Sequence, residues 1–172
     1  MTPPTKGHTC RKVGMMQQGS DKDRFPTRKK PRLKNFDYSS PNYYFITICT
    51  WNKACIFGKP NELSPWGIEA KAVLLEIQQH FSNVKVDKYV VMPNHVHMIL
   101  VLEGDNAGIP QIVGQYKSAV TRKIRQGAPE QNVWQTSFHD HVIRNQKDYE
   151  RIWLYIDANP QNWSKDCFFE DV

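Results

Sequence analysis

Two imidazoles set one residue apart in an apolar run are the first groups in this chain that could do chemistry. They are His95 and His97 in "VVMPNHVHMIL", residues 90–100. If the run is a strand, successive side chains point to opposite faces, so His95, His97, Ile99 and Val101 share one face. Val96, Met98, Leu100 and Leu102 then share the other. Buried imidazoles need polar partners, because an unsatisfied polar group costs ~1–3 kcal/mol. A divalent metal ion is one such partner; a core or loop-anchoring role is the other. A second pair is "YIDAN", in which Tyr155 and Asn159 are four residues apart and lie on one face if the segment is helical. Alone, Tyr155 reads more readily as a helix-packing aromatic. A third is "FHDH", where His139 and His141 flank Asp140 rather than an apolar residue.

The elements that would position these groups follow from periodicity. "YYFITICTW" (43–51) is β-branched and aromatic and predicts a strand. "FGKPNELSPWG" (57–67) reads as a loop, with Ser64 as N-cap and Pro65 opening a helix to about Phe81 that buries Val73, Leu74, Ile77 and Phe81. "VKVDKYVVM" (84–92) and "HVHMILVLE" (95–103) predict two strands joined by a tight Pro93-Asn94 turn. A second helix is expected from about Pro110 to Arg125, with an apolar stripe of Val113, Tyr116, Val120 and Ile124. "TSFHDHVIR" (136–144) predicts a fourth strand, and Lys147 to about Ala158 a last helix stopped by Pro160. The order strand, helix, strand, strand, helix, strand is the α+β, ferredoxin-like β-α-β-β-α-β pattern. It predicts an antiparallel sheet, two helices on one face, the His95 strand near the centre, and an added C-terminal helix carrying Tyr155.

Charge is unevenly placed. The net charge is +6, but residues 1–34 hold ten Lys/Arg and two Asp (+8), leaving thirteen Lys/Arg and fifteen Asp/Glu (−2) in the rest. Residues 1–27 lack periodicity and predict a disordered basic leader, with a single domain over 28–172. Basic segments of this kind are either nucleic-acid arms or solvated leaders. No apolar run approaches the ~20 residues of a membrane span. The four cysteines form no C-x-x-C pair, which favours reduced thiols in a cytosol over a disulfide framework.

The ordered set "RLKNFDYSSPNYYFITICT", "VVMPNHVHMIL", "GQYKSAVTRKIR", "VWQTSFHDHVIRN" and "YIDANPQNW" resembles the HUH single-tyrosine transposases, and within them the REP-associated tyrosine transposases. The resemblance covers most of residues 30–163. It implies that His95 and His97 bind a divalent ion, Mg²⁺ or Mn²⁺, that Asn159 completes the metal site, and that Tyr155 is the nucleophile. It implies a substrate of single-stranded DNA with an imperfect, REP-like hairpin, and either a monomer or a homodimer. A cytoplasmic, nucleoid-associated protein is expected.

That chemistry is coherent from below. A divalent ion polarises a phosphodiester and offsets developing charge. Two imidazoles and an amide carry no net charge, so the ion would keep its full charge for the substrate. A tyrosine, with a reference pKa near ~10, needs activation before it can attack phosphorus. Attack would leave a 5′-phosphotyrosine and a free 3′-OH, conserving the bond for rejoining. For DNA, Lys117, Arg122, Lys123 and Arg125, together with Arg28, Lys29, Lys30 and Arg32, are candidate phosphate contacts; a solvated helix face is the bland alternative. Trp134 and Trp163 are candidates for stacking on unpaired bases, with Trp153 read as core. Asp140 and His141 are candidates to support the metal ligands or touch DNA, and His139 is read as a surface residue. The alternatives are a zinc site built from both histidine pairs, a non-catalytic hairpin-binding protein, and a metal-dependent hydrolase.

Overall fold

In the computed structural model, residues 37–104 and 107–170 are described. The elements in chain order are β1 (Asn42–Cys49), β2 (Gly58–Lys59), β3 (Glu62–Leu63), α1 (Pro65–His80), β4 (Val84–Met92), β5 (His95–Leu102), α2 (Ile109–Arg125), β6 (His139–Ile143) and α3 (Gln146–Ala158). Strands β4, β5, β1 and β6 form one sheet in that spatial order. Every neighbouring pair is antiparallel. This is the α+β, ferredoxin-like arrangement expected, with β5 in the interior. Segments 1–27 and 28–36, which carry the expected leader and the residues Arg28, Lys29, Lys30 and Arg32, lie outside the described residues.

The strand alternation sorts the sheet into two faces. On one, Tyr44, Ile46 and Ile48 of β1 and Val96, Met98, Leu100 and Leu102 of β5 pack into a single apolar core with α1 and α2. Both helices present the expected stripes: Val73, Leu74 and Ile77 from α1, and Val113, Tyr116, Val120 and Ile124 from α2, are buried. The cap at Ser64 is also as expected: its side chain accepts from Gly67 N at 3.1 Å, with Pro65 opening α1. Gly67 is required for close approach, since a Cβ there would sit 2.3 Å from the Phe57 carbonyl oxygen.

The other face carries α3. Cα register places His95 opposite Cys49 and His97 opposite Thr47, so both histidines face α3. Buried Ile152 and Ile156 of α3 lie over this face. Lys88 of β4 pins the helix from outside, 2.5 Å from Asp157 Oδ1 and 3.7 Å from the centre of the Trp153 ring. Tyr149 adds a hydrogen bond to Asp87 at 2.8 Å, beside the bulge that shifts the β4–β5 register between Val86 and Lys88.

Three expected boundaries differ. β1 ends at Cys49 because Trp51–Lys53 turns into a short 3-10 helix, with Asn52 at φ 51°. The 57–67 loop contains the two-residue β2–β3 hairpin. The fourth strand begins at His139 rather than 136. The carbonyls of Gln135 and Thr136 are taken by Lys117 Nζ, at 2.6 and 3.1 Å, instead of by a ladder.

Candidate active site

The turn Pro93-Asn94 does more than connect β4 to β5. Asn94 is fully buried, and its amide donates to the carbonyls of Lys53 (3.1 Å) and Phe168 (2.7 Å). Its Oδ1 therefore faces His95 Nδ1 at 2.9 Å as an acceptor. That contact puts the His95 proton on Nδ1 and leaves a lone pair on Nε2, which is buried and has no hydrogen-bond partner. His97 is held in parallel fashion, with Nδ1 2.8 Å from Thr47 Oγ1. Its Nε2 lies 3.2 Å from the Tyr155 hydroxyl. The two imidazole rings are 4.4 Å apart, so they project into one pocket, as strand alternation predicts.

The helix supplies the rest. Tyr155 and Asn159 do lie one turn apart, and Asn159 caps the C-terminal end of α3. Asn159 is 3% exposed, and its Oδ1 is a second buried acceptor without a hydrogen-bond partner. Its Nδ2 donates at 2.6 Å to Asp166 Oδ2, which the Tyr155 hydroxyl also approaches at 3.3 Å. Among the described residues, His95, His97 and Asp166 form a cluster whose ligand atoms all lie within 4.8 Å of one another. Two imidazoles and a carboxylate this close together, one imidazole with an orphaned nitrogen, and an orphaned amide oxygen on the adjoining helix end are a donor set that fits a divalent cation.

Asp166 is not legible in the sequence. It follows α3 in an aperiodic segment, and only the short Trp163–Lys165 turn brings it back over the sheet. Its presence corrects the expectation of an uncharged ligand set, because the cluster carries one carboxylate. The segment is fixed there by Phe168, whose ring sits 4.7 Å from that of His95.

Burial governs the electrostatics. It pushes both imidazoles below the ordinary histidine range; His97 is lowered further by His95, while Asp166 opposes the effect on His95. Both ligand candidates are thus held neutral. Burial pushes the Tyr155 phenol well up, and the Asp166 carboxylate adds to this. The phenol stays protonated unless an acceptor takes its proton.

The remaining candidates fall elsewhere. His139 and His141 share the α3 face, opposite Thr47 and Phe45, while Asp140 lies opposite Ile46 and so on the α1/α2 side. His139 is exposed, as expected, and outside the ligand cluster. His141 Nε2 is 2.7 Å from Asp148 Oδ2. Lys117, Arg122 and Arg125 border a groove with Trp134 and Gln135, on the opposite side of the sheet from Tyr155. Lys123 points away from it, 2.9 Å from Glu69. Trp163 is buried, so its ring is not presented for stacking as expected; Trp134 packs 5.2 Å from Phe57 but is only half-buried at the edge of the groove, and Trp153 is half-buried under Lys88.

The sheet is thus backed by two helices on one face and carries, on the other, a helix that sets Tyr155 over the His95/His97 pair. Residues 38–159 match the family model described as "Transposase IS200 like", and the chain belongs to that family of DNA-nicking and joining transposases. A relative of unassigned function in Haemophilus influenzae is 32% identical over 169 residues, covering 84% of this chain and 94% of its own. The REP-associated tyrosine transposase of Escherichia coli K12 is 30% identical over 98 residues, 51% of this chain and 56% of that one. The solved structure of a REP-associated tyrosine transposase bound to a REP hairpin superposes with a TM-score of 0.58 at 19% identity, over 77% of this chain and 74% of that one. Among the described residues, no helix is long and apolar enough to cross a membrane.

Proposed function

We propose that the chain nicks and rejoins single-stranded DNA beside a REP-like hairpin, with Tyr155 as nucleophile and a divalent ion, Mg²⁺ or Mn²⁺, held by His95, His97, Asn159 and Asp166. The observation that carries this reading is the Tyr155 hydroxyl lying 3.2 Å from His97 Nε2, at the edge of a cluster with two orphaned acceptors. The hairpin is proposed by analogy with the solved relative. A bound ion would polarise the scissile phosphate and offset its charge.

The chain's own residues do the remainder. Asn94 fixes the His95 tautomer so that its Nε2 lone pair faces the pocket, and Thr47 holds the His97 ring by Nδ1 with Nε2 turned the same way. With His97 Nε2 given to the ion, the Asp166 carboxylate is the group within reach of the phenol proton. The Tyr155 oxygen forms the new bond to phosphorus; the bond from phosphorus to the 3′ oxygen breaks, and that oxygen leaves as a protonated 3′-OH. Phe45 meets the Tyr155 ring edge-on at 6.2 Å and limits where the phenol can swing. The complete set lies in one chain, which supports a site that works within a monomer. We place residues 1–27 as a basic leader to a single domain over 28–172, acting at the nucleoid.

The test uses a pool of single-stranded hairpin oligonucleotides with randomised flanks, in Mg²⁺ or Mn²⁺, resolved on a denaturing gel. The parent should give a covalent adduct. Tyr155→Phe should give none while binding the same hairpins with nearly unchanged affinity. An adduct in the Phe variant removes Tyr155 from the mechanism, and binding without any adduct in the parent favours a hairpin-binding protein that keeps the fold.

A further inference from the structure

We propose that Arg151, oriented by Asp148 and His141, binds a non-scissile backbone phosphate of the DNA strand that Tyr155 attacks. The inference rests on the nicking reading and adds a second contact to the same strand. Asp148 is the hub: its Oδ1 is 2.7 Å from Arg151 Nη2 and its Oδ2 2.7 Å from His141 Nε2. The carboxylate is the shielded member, its side chain 15% exposed against 33% for Arg151 and 36% for His141. Burial alone would raise the Asp148 pKa, but hydrogen bonds from Arg151 and His141 overcome this and hold it below the usual range. The carboxylate is therefore a fixed anion inside, with the cation turned outward.

Position gives the group its meaning. Arg151 and Tyr155 are four residues apart on α3, one turn along the same face. His141 lies opposite Phe45 on β1, and Phe45 touches the Tyr155 ring. One turn spans ~5.4 Å, so the guanidinium stands close enough to the phenol to meet a phosphate near the attacked one on the same strand.

A plain helix-pinning role fits less well. The bond from Arg151 to Asp148 stays within α3, and within the triad it is the Asp148–His141 bond that ties the helix to β6. Docking already has Lys88, Asp87 and buried Ile152 and Ile156. A guanidinium fork suits a phosphate, and an acidic partner that fixes its plane preorganises it.

The experiment has two arms. In the first, Tyr155→Phe protein is titrated with a 20-nucleotide thymidine strand at several salt concentrations, read by fluorescence anisotropy. Adding Arg151→Gln should lower the log–log salt slope by roughly 0.7, the contribution of one single-strand phosphate, and Arg151→Lys should restore it. In the second arm, single methylphosphonates are walked along an oligonucleotide captured by the parent. One non-scissile position should slow adduct formation about tenfold in the parent and cause no further loss in Arg151→Gln. An unchanged slope, or a scan identical in parent and variant, overturns the proposal and leaves the triad as a helix brace. If no oligonucleotide is captured at all, the nicking reading fails, while the salt slope still decides the phosphate site.

Discussion

The two faces of the sheet are built from the same strands and do opposite things. Toward α1 and α2, β5 presents Val96, Met98, Leu100 and Leu102, and nothing there can titrate or ligate. Toward α3 it presents His95 and His97, both buried, each tied by its Nδ1 to a different neighbour. One face closes through apolar area. The other closes through Ile152 and Ile156 together with polar contacts that leave two acceptors unused. The contrast teaches that stability and reactivity here are separable along a single strand, residue by residue.

The sharpest way to break the comparison is a pair of substitutions on β5. His97→Ala should abolish adduct formation while the fold survives. Leu100→Ala should cost ~2–5 kcal/mol of stability, measured by denaturant unfolding, yet leave cleavage by the folded fraction nearly normal. His139→Ala, on the reactive face but outside the cluster, should cleave nearly normally. If the two β5 variants fail in the same assay, the faces are not independent.

Acidity should expose the reactive face alone. An unfolded chain takes up protons at His95 and His97 below about 6.5, whereas burial keeps them neutral in the fold, His95 down to about 4. Stability should therefore fall as pH drops from about 6.5 towards 4, by up to roughly 1.4 kcal/mol per pH unit for each imidazole. Melting curves in EDTA across that range test the sign. A profile no flatter in a His95→Gln, His97→Gln double variant would assign the loss to other groups.

A smaller effect is expected at the residue that closes the pocket. Asp166→Asn keeps the shape and removes the charge, and should raise the Mn²⁺ concentration needed for adduct formation by at least ~10-fold. An unaltered Mn²⁺ titration would make Asp166 a hydrogen-bond partner of Asn159 and nothing more. The mildest change concerns the basic leader. Removing residues 1–34, with their +8 charge, should lower the log–log salt slope of single-strand binding by roughly 0.7 for each phosphate the leader neutralises. An identical slope would mean the leader does not touch DNA.

Much of this is readable from periodicity. The alternation around His95 and His97 dictates their shared face, and the four-residue spacing does the same for Tyr155 and Asn159. The element order implies the antiparallel sheet with β5 inside. What periodicity cannot supply is register between distant strands, so nothing in the sequence signals that His139 and His141 face the same way as His97. Nor can it find Asp166, which reaches the pocket through an aperiodic turn rather than a repeating one. Trp163 departs from expectation for a related cause. An aromatic ring is equally suited to a base and to a core, and only its burial beside the Asp166 segment decides between them.

One consequence follows from the way Tyr155, Asn159 and Asp166 are strung. All three belong to α3 or to the short segment hanging from its end, while His95 and His97 belong to the sheet. The pocket is thus assembled from two bodies, like a latch and its plate. Any rocking of α3 that withdraws the phenol carries off the amide in the same stroke, while Phe168, bonded to Asn94 of the sheet, keeps the segment of the carboxylate in place. On the proposed assignment, arming the nucleophile and completing the ligand set of the cation would then be one mechanical event.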